Sequence, residues 1–482
     1  MPETGKDRLG APIIAGTGLN NPGGKCFRIS CNMAQFCFTN ALWKNPKCGL
    51  VAALLLTGCM WFYVQHVFIA YQQADAAAHD RPRGNFSDLY PRWLGARELL
   101  LHHRDPYSRE VTREIQIGYY GRPLDPNRPG DPKDQAAFAY PVFVVFLLAP
   151  TIALPFSAVQ AGFRWFLIIL TAATVPLWLR ALRWRTSPAV TAMLVILALG
   201  NFPVAQAIKL QQLTLLVSGM IAGCALLLVS DHLLLAGILL ALATIKPQIA
   251  VLLTAWLLLW AVSNYHDRQR FIWGFGLTMA ALLAGAEYVM PGWIAQFAKA
   301  VVAYREYLNK PESVLLVLTT PGWGLVFSAF ILITLTVVCW RMRHAPADTP
   351  VFGLVFSLVL AVTVVMIPMT ALYNQVLLLP AVLLVVRHGR SLWTKHPLMR
   401  ATCVISGLLV FWPWLAVVAL TVASFFVSAE RVQNAWAVPL WTSLAIPLAV
   451  LVPLASVLSE FTRACIGNQS RSAPDRAGSP SA

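Results

Sequence analysis

Residues able to do chemistry are sparse in this 482-residue chain, and long apolar runs separate them. Asp88 precedes Arg92 by four positions, so on a helix the carboxylate and the guanidinium share a face. Lys209 is followed closely by Gln211 and Gln212, Lys246 stands directly before Pro247, and Tyr373, Asn374 and Gln375 are consecutive. A carboxylate within hydrogen-bond reach of a hydroxyl can take its proton. Fixed cations and amides can stabilise a negative charge as it develops. The set becomes a site only if the fold brings these segments to one place.

Each residue also has a plainer reading. Lys246 at a helix break could extend to lipid headgroups, and Gln211 and Gln212 could be ordinary loop residues. Glu287 stands close to Pro291-Gly292 and reads as interfacial. His102 and His103 are adjacent, which is poor geometry for chelation on a helix and reads as surface. No spacing suits a metal, so neither a metal nor another cofactor is expected. The nine cysteines do not form a disulfide framework, and none falls in the stretch 72–137.

The elements that must position these groups are helices in a membrane. Hydrophobic residues make up 57% of the chain and charged residues only 12%, against about 25% charged in a soluble domain. The apolar residues come in blocks long enough as helices to cross roughly 30 Å of hydrocarbon. Twelve clear blocks lie near 49–71, 158–179, 189–206, 213–230, 232–246, 247–262, 271–290, 322–340, 351–368, 372–386, 401–424 and 436–459. The expected fold is therefore all-α and polytopic, with about twelve transmembrane helices in a domain spanning 48–460. Residues 1–47 read as a disordered cytoplasmic leader, and 461–482 as a disordered cytoplasmic tail.

The block Phe138–Phe156 is ambiguous, because it carries Pro141, Pro150 and Pro155. Charge decides its treatment. Basic connectors occur at Arg180/Arg183/Arg185, Arg268/Arg270, Arg341/Arg343, Arg387/Arg390/Lys395/Arg400 and Arg463/Arg471/Arg476. If 138–157 enters and returns rather than crossing, all of them share the cytoplasmic side with the six basic residues of the leader. The net charge of +16 is then explained by membrane orientation, and nucleic-acid binding is not expected. Residues 72–137 become a long first external loop, with ten basic and ten acidic residues. Within it, Phe86 to Leu101 has the spacing of an amphipathic interfacial helix, and Asp105-Pro106-Tyr107-Ser108 reads as a turn opening a second helix. Lys209, Gln211, Gln212, Lys246 and Thr370 to Gln375 then fall on the same side as Asp88. The loop becomes the lid of a shared cavity, with 138–157 as its re-entrant wall.

The string Ser87-Asp88-Leu89-Tyr90, with Trp93, Ala96, Leu99-Leu100 and Asp105-Pro106-Tyr107, resembles the first external loop of the glycosyltransferase 87 family. In order after it, Phe138-Ala139-Tyr140-Pro141 resembles the family's Tyr-Pro-Pro segment. Gln211-Gln212 stands where Gly-Gln is common. Ala236-Gly237-Ile238-Leu239 through Lys246-Pro247 is similar to a Gly-x-x-x-Gly/Ala…Lys-Pro element. The late turn Thr370 to Gln375 lacks the histidine common in mannose-specific members.

The resemblance implies a GT-C-type membrane enzyme that transfers a sugar, typically mannose, from a polyprenyl-phosphate donor to a hydroxyl of a glycolipid or glycan acceptor. It maps the loop carboxylate onto Asp88, as general base of an inverting displacement. Arg92, Tyr140, Lys209, Gln211, Gln212, Lys246, Tyr373, Asn374 and Gln375 would bind substrate. A bacterial cell membrane is the expected location, with both termini cytoplasmic. Two alternatives stay open at this point: a lipid-linked-sugar flippase or transporter, and a GT-C enzyme using another lipid-linked sugar.

Overall fold

The computed structural model describes residues 46–81, 87–125, 127–307, 313–367 and 371–471. Residues 1–45 of the leader and 472–482 of the tail, both expected to be disordered, lie outside the described residues, as do Phe86 and Thr370, while Pro46 and Lys47 already belong to the first helix.

Among the described residues every regular element is helical. The chain opens with α1 (Lys47–Ala78), which passes through a π-helical turn at Tyr63–Phe68. Two loop helices follow, α2 (Leu89–His102) and α3 (Arg109–Tyr120), and then the five-residue α4 (Val144–Leu148). Next come α5 (Phe156–Ala181), α6 (Pro188–Leu199), α7 (Phe202–Leu210), α8 (Leu213–Val229), α9 (Leu233–Ala243), α10 (Pro247–Ser263) and α11 (Tyr265–Val289). After α12 (Trp293–Tyr307) and α13 (Val314–Leu318) come α14 (Pro321–Arg341), α15 (Pro350–Met366) and α16 (Leu379–Arg387), the last entered through a 3₁₀ turn at Leu372–Leu378. The chain ends with α17 (Gly389–Thr394), α18 (Pro397–Ala423), α19 (Ala429–Asn434) and α20 (Ile446–Arg471). α20 runs past Glu460, where the tail was expected to begin, because the following residues include no proline up to Arg471.

Five helices are long and apolar enough to cross a membrane; α6 and α7, bent by 61° at their junction, form a broken span or a re-entrant pair. Shorter apolar helices fill the remaining predicted blocks. The chain is a multi-pass membrane protein. The bend follows from Gly200-Asn201-Phe202-Pro203, since Pro203 has no N–H to continue α6. α9 spans only eleven residues, about 16 Å at 1.5 Å per residue. It stops where Lys246-Pro247 restarts the chain as α10.

Packing uses close backbone approach as well as apolar bulk. A Cβ at Gly237 of α9 would strike the carbonyl oxygen of Phe271, and one at Gly274 of α11 would strike that of Leu234. Small residues facing each other in this way let membrane helices pack backbone to backbone. α15 is buried almost all round, as befits a helix that is apolar on every face. The segment 138–156 contains only α4 and a 3₁₀ turn at Ala149–Thr151, with no helix long enough to cross. Its Phe138 ring packs where a Cβ on Gly95 of α2 would otherwise be, and the Trp93 indole N–H donates to the Thr151 carbonyl at 3.2 Å.

Candidate active site

The long loop is attached to the helix bundle at the residue of greatest chemical interest. The Asp88 backbone N–H donates to the carbonyl of Leu210 at 2.9 Å, and the Ser87 hydroxyl reaches the same oxygen at 3.4 Å. Leu210 ends α7, and the last carbonyls of a helix have no partner within it. The start of α2 therefore completes the end of α7, and Asp88 is pinned between them.

An aspartate at this position normally spends its carboxylate on the N–H groups of the first helical turn, a cap worth about 1 kcal/mol. Asp88 makes no such bond, and the Ser87 hydroxyl accepts from the Leu89 N–H instead, at 3.3 Å. Oδ1 of Asp88 accepts from the Tyr119 hydroxyl at 3.0 Å, and Oδ2 accepts from the Gln212 side-chain amide. Both oxygens are held by neutral donors. Among the described residues no Lys or Arg lies within ion-pair distance of the carboxylate.

Three cations gather around it. Arg92, one turn into α2, donates to the Asp88 carbonyl and lies 4.6 Å over the Tyr140 ring. Burial works against its charge, but Tyr140, Asp88, Tyr304 and Tyr373 around it raise its pKa above the ordinary arginine value. Lys246 is only 2% exposed. Its ammonium donates to the Thr214 hydroxyl and, at 3.4 Å, to Gln212 Oε1, and sits 4.7 Å over the Tyr373 ring. Thr214 passes a hydrogen bond on to Asn374 Oδ1 at 3.0 Å. Lys209, in the last turn of α7, lies within electrostatic reach of Asp88. Burial first, and then the Asp88 charge, pushes the Tyr119 phenol well up, so it remains a donor.

Of the residues singled out in the sequence, Asp88, Arg92, Tyr140, Lys209, Gln212, Lys246, Tyr373 and Asn374 come together here. Gln211 and Gln375 are turned to other tasks. Gln211 is fully buried at a left-handed backbone position (φ 49°), and its amide donates to the Ile208 and Lys209 carbonyls at 2.7 Å each. Gln160 donates to its oxygen at 3.2 Å. Gln375 donates to the Ser443 carbonyl at 2.8 Å and borders an apolar cavity of about 110 Å3 between α5, α7, α8 and α18. Glu287 accepts from the Gly292 N–H at 2.8 Å in an exposed turn. His102 contacts Glu98, beside Arg104, away from the site. Among the described residues no group of three or more His, Cys, Asp or Glu could hold a metal ion.

Sequence reasoning missed Thr214, Tyr119, Tyr304 and Asp134. Thr214 stands inside an apolar run with no pattern to mark it. Tyr304 is carried by α12, a helix whose alternation of Lys299 and Arg305 with aromatic residues could have been read as interfacial.

The site therefore presents one carboxylate with both oxygens steadied by neutral groups, beside Arg92, Lys209 and the buried Lys246. Residues 138–368 match the sequence profile of glycosyltransferase family 87. This region belongs to that family. The family 87 region is just under half of the chain; it includes Tyr140, Lys209, Gln212, Thr214 and Lys246, while Asp88 and Arg92 precede it and Tyr373 follows it. No curated protein matches the chain significantly. The family 87 match supports a membrane glycosyltransferase, a class whose substrates are a sugar donor and an acceptor.

Proposed function

We propose that the protein transfers a sugar, mannose being the favoured candidate, from a polyprenyl-phosphate donor to an acceptor hydroxyl, with inversion and with Asp88 as general base. The observation that carries this reading is Lys246: a buried ammonium held, among the described residues, by hydroxyl, amide and aromatic groups. A buried cation is costly unless it meets a counter-charge, and a phosphate arriving with the substrate supplies one.

In the reaction the acceptor oxygen attacks the anomeric carbon while its proton passes to Asp88. The bond from that carbon to the phosphate oxygen breaks, and its electron pair leaves with the phosphate. Arg92, Lys209 and Lys246 stabilise the charge that develops there, and Thr214 and Asn374 fix the ammonium in place. A lipid-linked donor suits a chain with at least five helices able to cross a membrane, because the lipid remains in the bilayer throughout. One base with direct displacement yields the inverted anomer. The basic connectors favour an external site, cytoplasmic termini, and twelve crossings in a cell membrane, with 138–157 re-entrant.

The test is reconstitution in sealed vesicles with radiolabelled polyprenyl-phosphate mannose. Covalent transfer to an added glycan supports the reading. Movement of intact donor across the bilayer without covalent product would make the protein a carrier.

A further inference from the structure

Asp134 is a second carboxylate beside the site, and the mechanism above does not use it. The adjacent tyrosines at the end of α3 connect it to Asp88. Tyr119 donates to Asp88 Oδ1 at 3.0 Å, and Tyr120 donates to the Asp134 carbonyl at 2.8 Å. Their rings meet edge to face at 4.7 Å. One dipeptide thus sets both aspartates relative to each other. One turn earlier, Gln116 holds the neighbouring Gln135 by its carbonyl and its side-chain oxygen, at 3.2 and 2.9 Å. Asp134 Oδ1 accepts from the Ala136 N–H at 2.9 Å, closing a turn in which Ala136 takes φ 52°. A non-glycine residue holds that backbone only when its surroundings impose it. Oδ2 makes no hydrogen bond to any described residue.

Several charged groups lie around Asp88. Asp134 acts electrostatically on Tyr119 and on Tyr304 of α12, and its own charged neighbours are Asp88 and Arg92. Lys246 answers to Arg92 and Asp88, and Lys209 to Asp88 and Arg164. Asp134 and Lys246 thus share Asp88 and Arg92 as charged neighbours. A departing phosphate belongs with the lysines, since a carboxylate beside it would repel it. The acceptor must face the base, and the Tyr119-Tyr120 pair ties Asp134 to that base. A carboxylate accepts hydrogen bonds only, and two neighbouring ring hydroxyls can donate to its two oxygens.

We infer that Asp134 binds ring hydroxyls of the acceptor and holds it against Asp88. The acceptor is then a sugar ring of a glycan or glycolipid, not the side chain of a protein. This inference rests on the proposed transfer reaction.

The experiment measures transfer from radiolabelled C55 polyprenyl-phosphate mannose to octyl glycosides, with KM determined separately for donor and acceptor. Asp134→Asn keeps the oxygen that accepts from Ala136, so the turn is retained. Its acceptor KM should rise roughly ten- to a hundredfold, the loss of a charge-assisted hydrogen bond, with donor KM and slow donor hydrolysis within twofold. Tyr120→Phe, which frees the turn without touching the carboxylate, should raise acceptor KM by about two- to tenfold. An unchanged acceptor KM in both variants, or a matching rise in donor KM, overturns the inference. So does a wild type that glycosylates a serine-containing peptide and no octyl glycoside. A wild type that transfers to nothing overturns the transfer reaction itself.

Discussion

Replacing Lys246 by Met separates stability from activity in a way few substitutions could. The side chains are similar in length, and Lys246 is 2% exposed. Its partners are Thr214, Gln212 and the Tyr373 ring, all neutral, so the substitution strands no buried carboxylate. Thr214 keeps its bond to Asn374 and Gln212 keeps its bond to Asp88. Removing the ammonium loses two hydrogen bonds, about 1 kcal/mol each, and relieves a desolvation cost of several kcal/mol. The folded state should therefore hold its Tm or gain a few degrees. The reaction should suffer. A cation about 4 Å from a developing phosphate charge contributes about 4 kcal/mol at an effective dielectric of 20. Loss of one such group typically costs about 10²–10³ in kcat. Thermal unfolding in detergent and single-turnover transfer on the same preparation read both quantities. A kcat within threefold of wild type, or a fall in Tm of more than about 5 °C, would refute the reasoning.

Other consequences follow from single contacts. Tyr119→Phe removes the donor to Asp88 Oδ1; transfer should fall about ten- to a hundredfold while the protein elutes as wild type in gel filtration. Gly237→Ala pushes a Cβ into the Phe271 carbonyl across the α9–α11 contact, and overpacking of that kind should cost about 1–3 kcal/mol in thermal or denaturant unfolding. Arg122 clasps Asp131 in the long loop and, with its hydrogen bond as the main cause, holds that carboxyl down at about 2. A depressed folded-state pKa gives stability that is complete above the ordinary aspartate range, near pH 4, and is lost as pH falls towards 2. Proteolysis of the loop by pepsin should accelerate across that window, and Asp131→Asn should abolish the pH dependence.

Much of the site was legible because charge orients membrane helices. Once the basic connectors were placed together, Asp88, Lys209, Gln212, Lys246, Tyr373 and Asn374 fell at one end of their helices, and the structure collects them there. Lys246-Pro247 carried the most information, since Pro247 restarts a helix and leaves the lysine at its head. What could not be read was direction within a turn. Gln211 and Gln212 are neighbours, yet the left-handed backbone at Gln211 sends one amide back to its own helix and leaves the other for Asp88. Tyr119 lies 31 residues from the carboxylate it steadies, with no periodic pattern to join them. The helix blocks were recovered, but several are too short to cross on length alone, because the chain breaks at Gly200–Phe202 and Thr244–Lys246.

The central claim is that Asp88 accepts the proton from an attacking hydroxyl. Asp88→Asn keeps an oxygen to accept from a neighbouring donor while removing the base. Single-turnover transfer from radiolabelled polyprenyl-phosphate mannose should fall about 10²–10⁴-fold, with donor binding unchanged by equilibrium dialysis. Transfer at the wild-type rate by the folded variant would contradict the account.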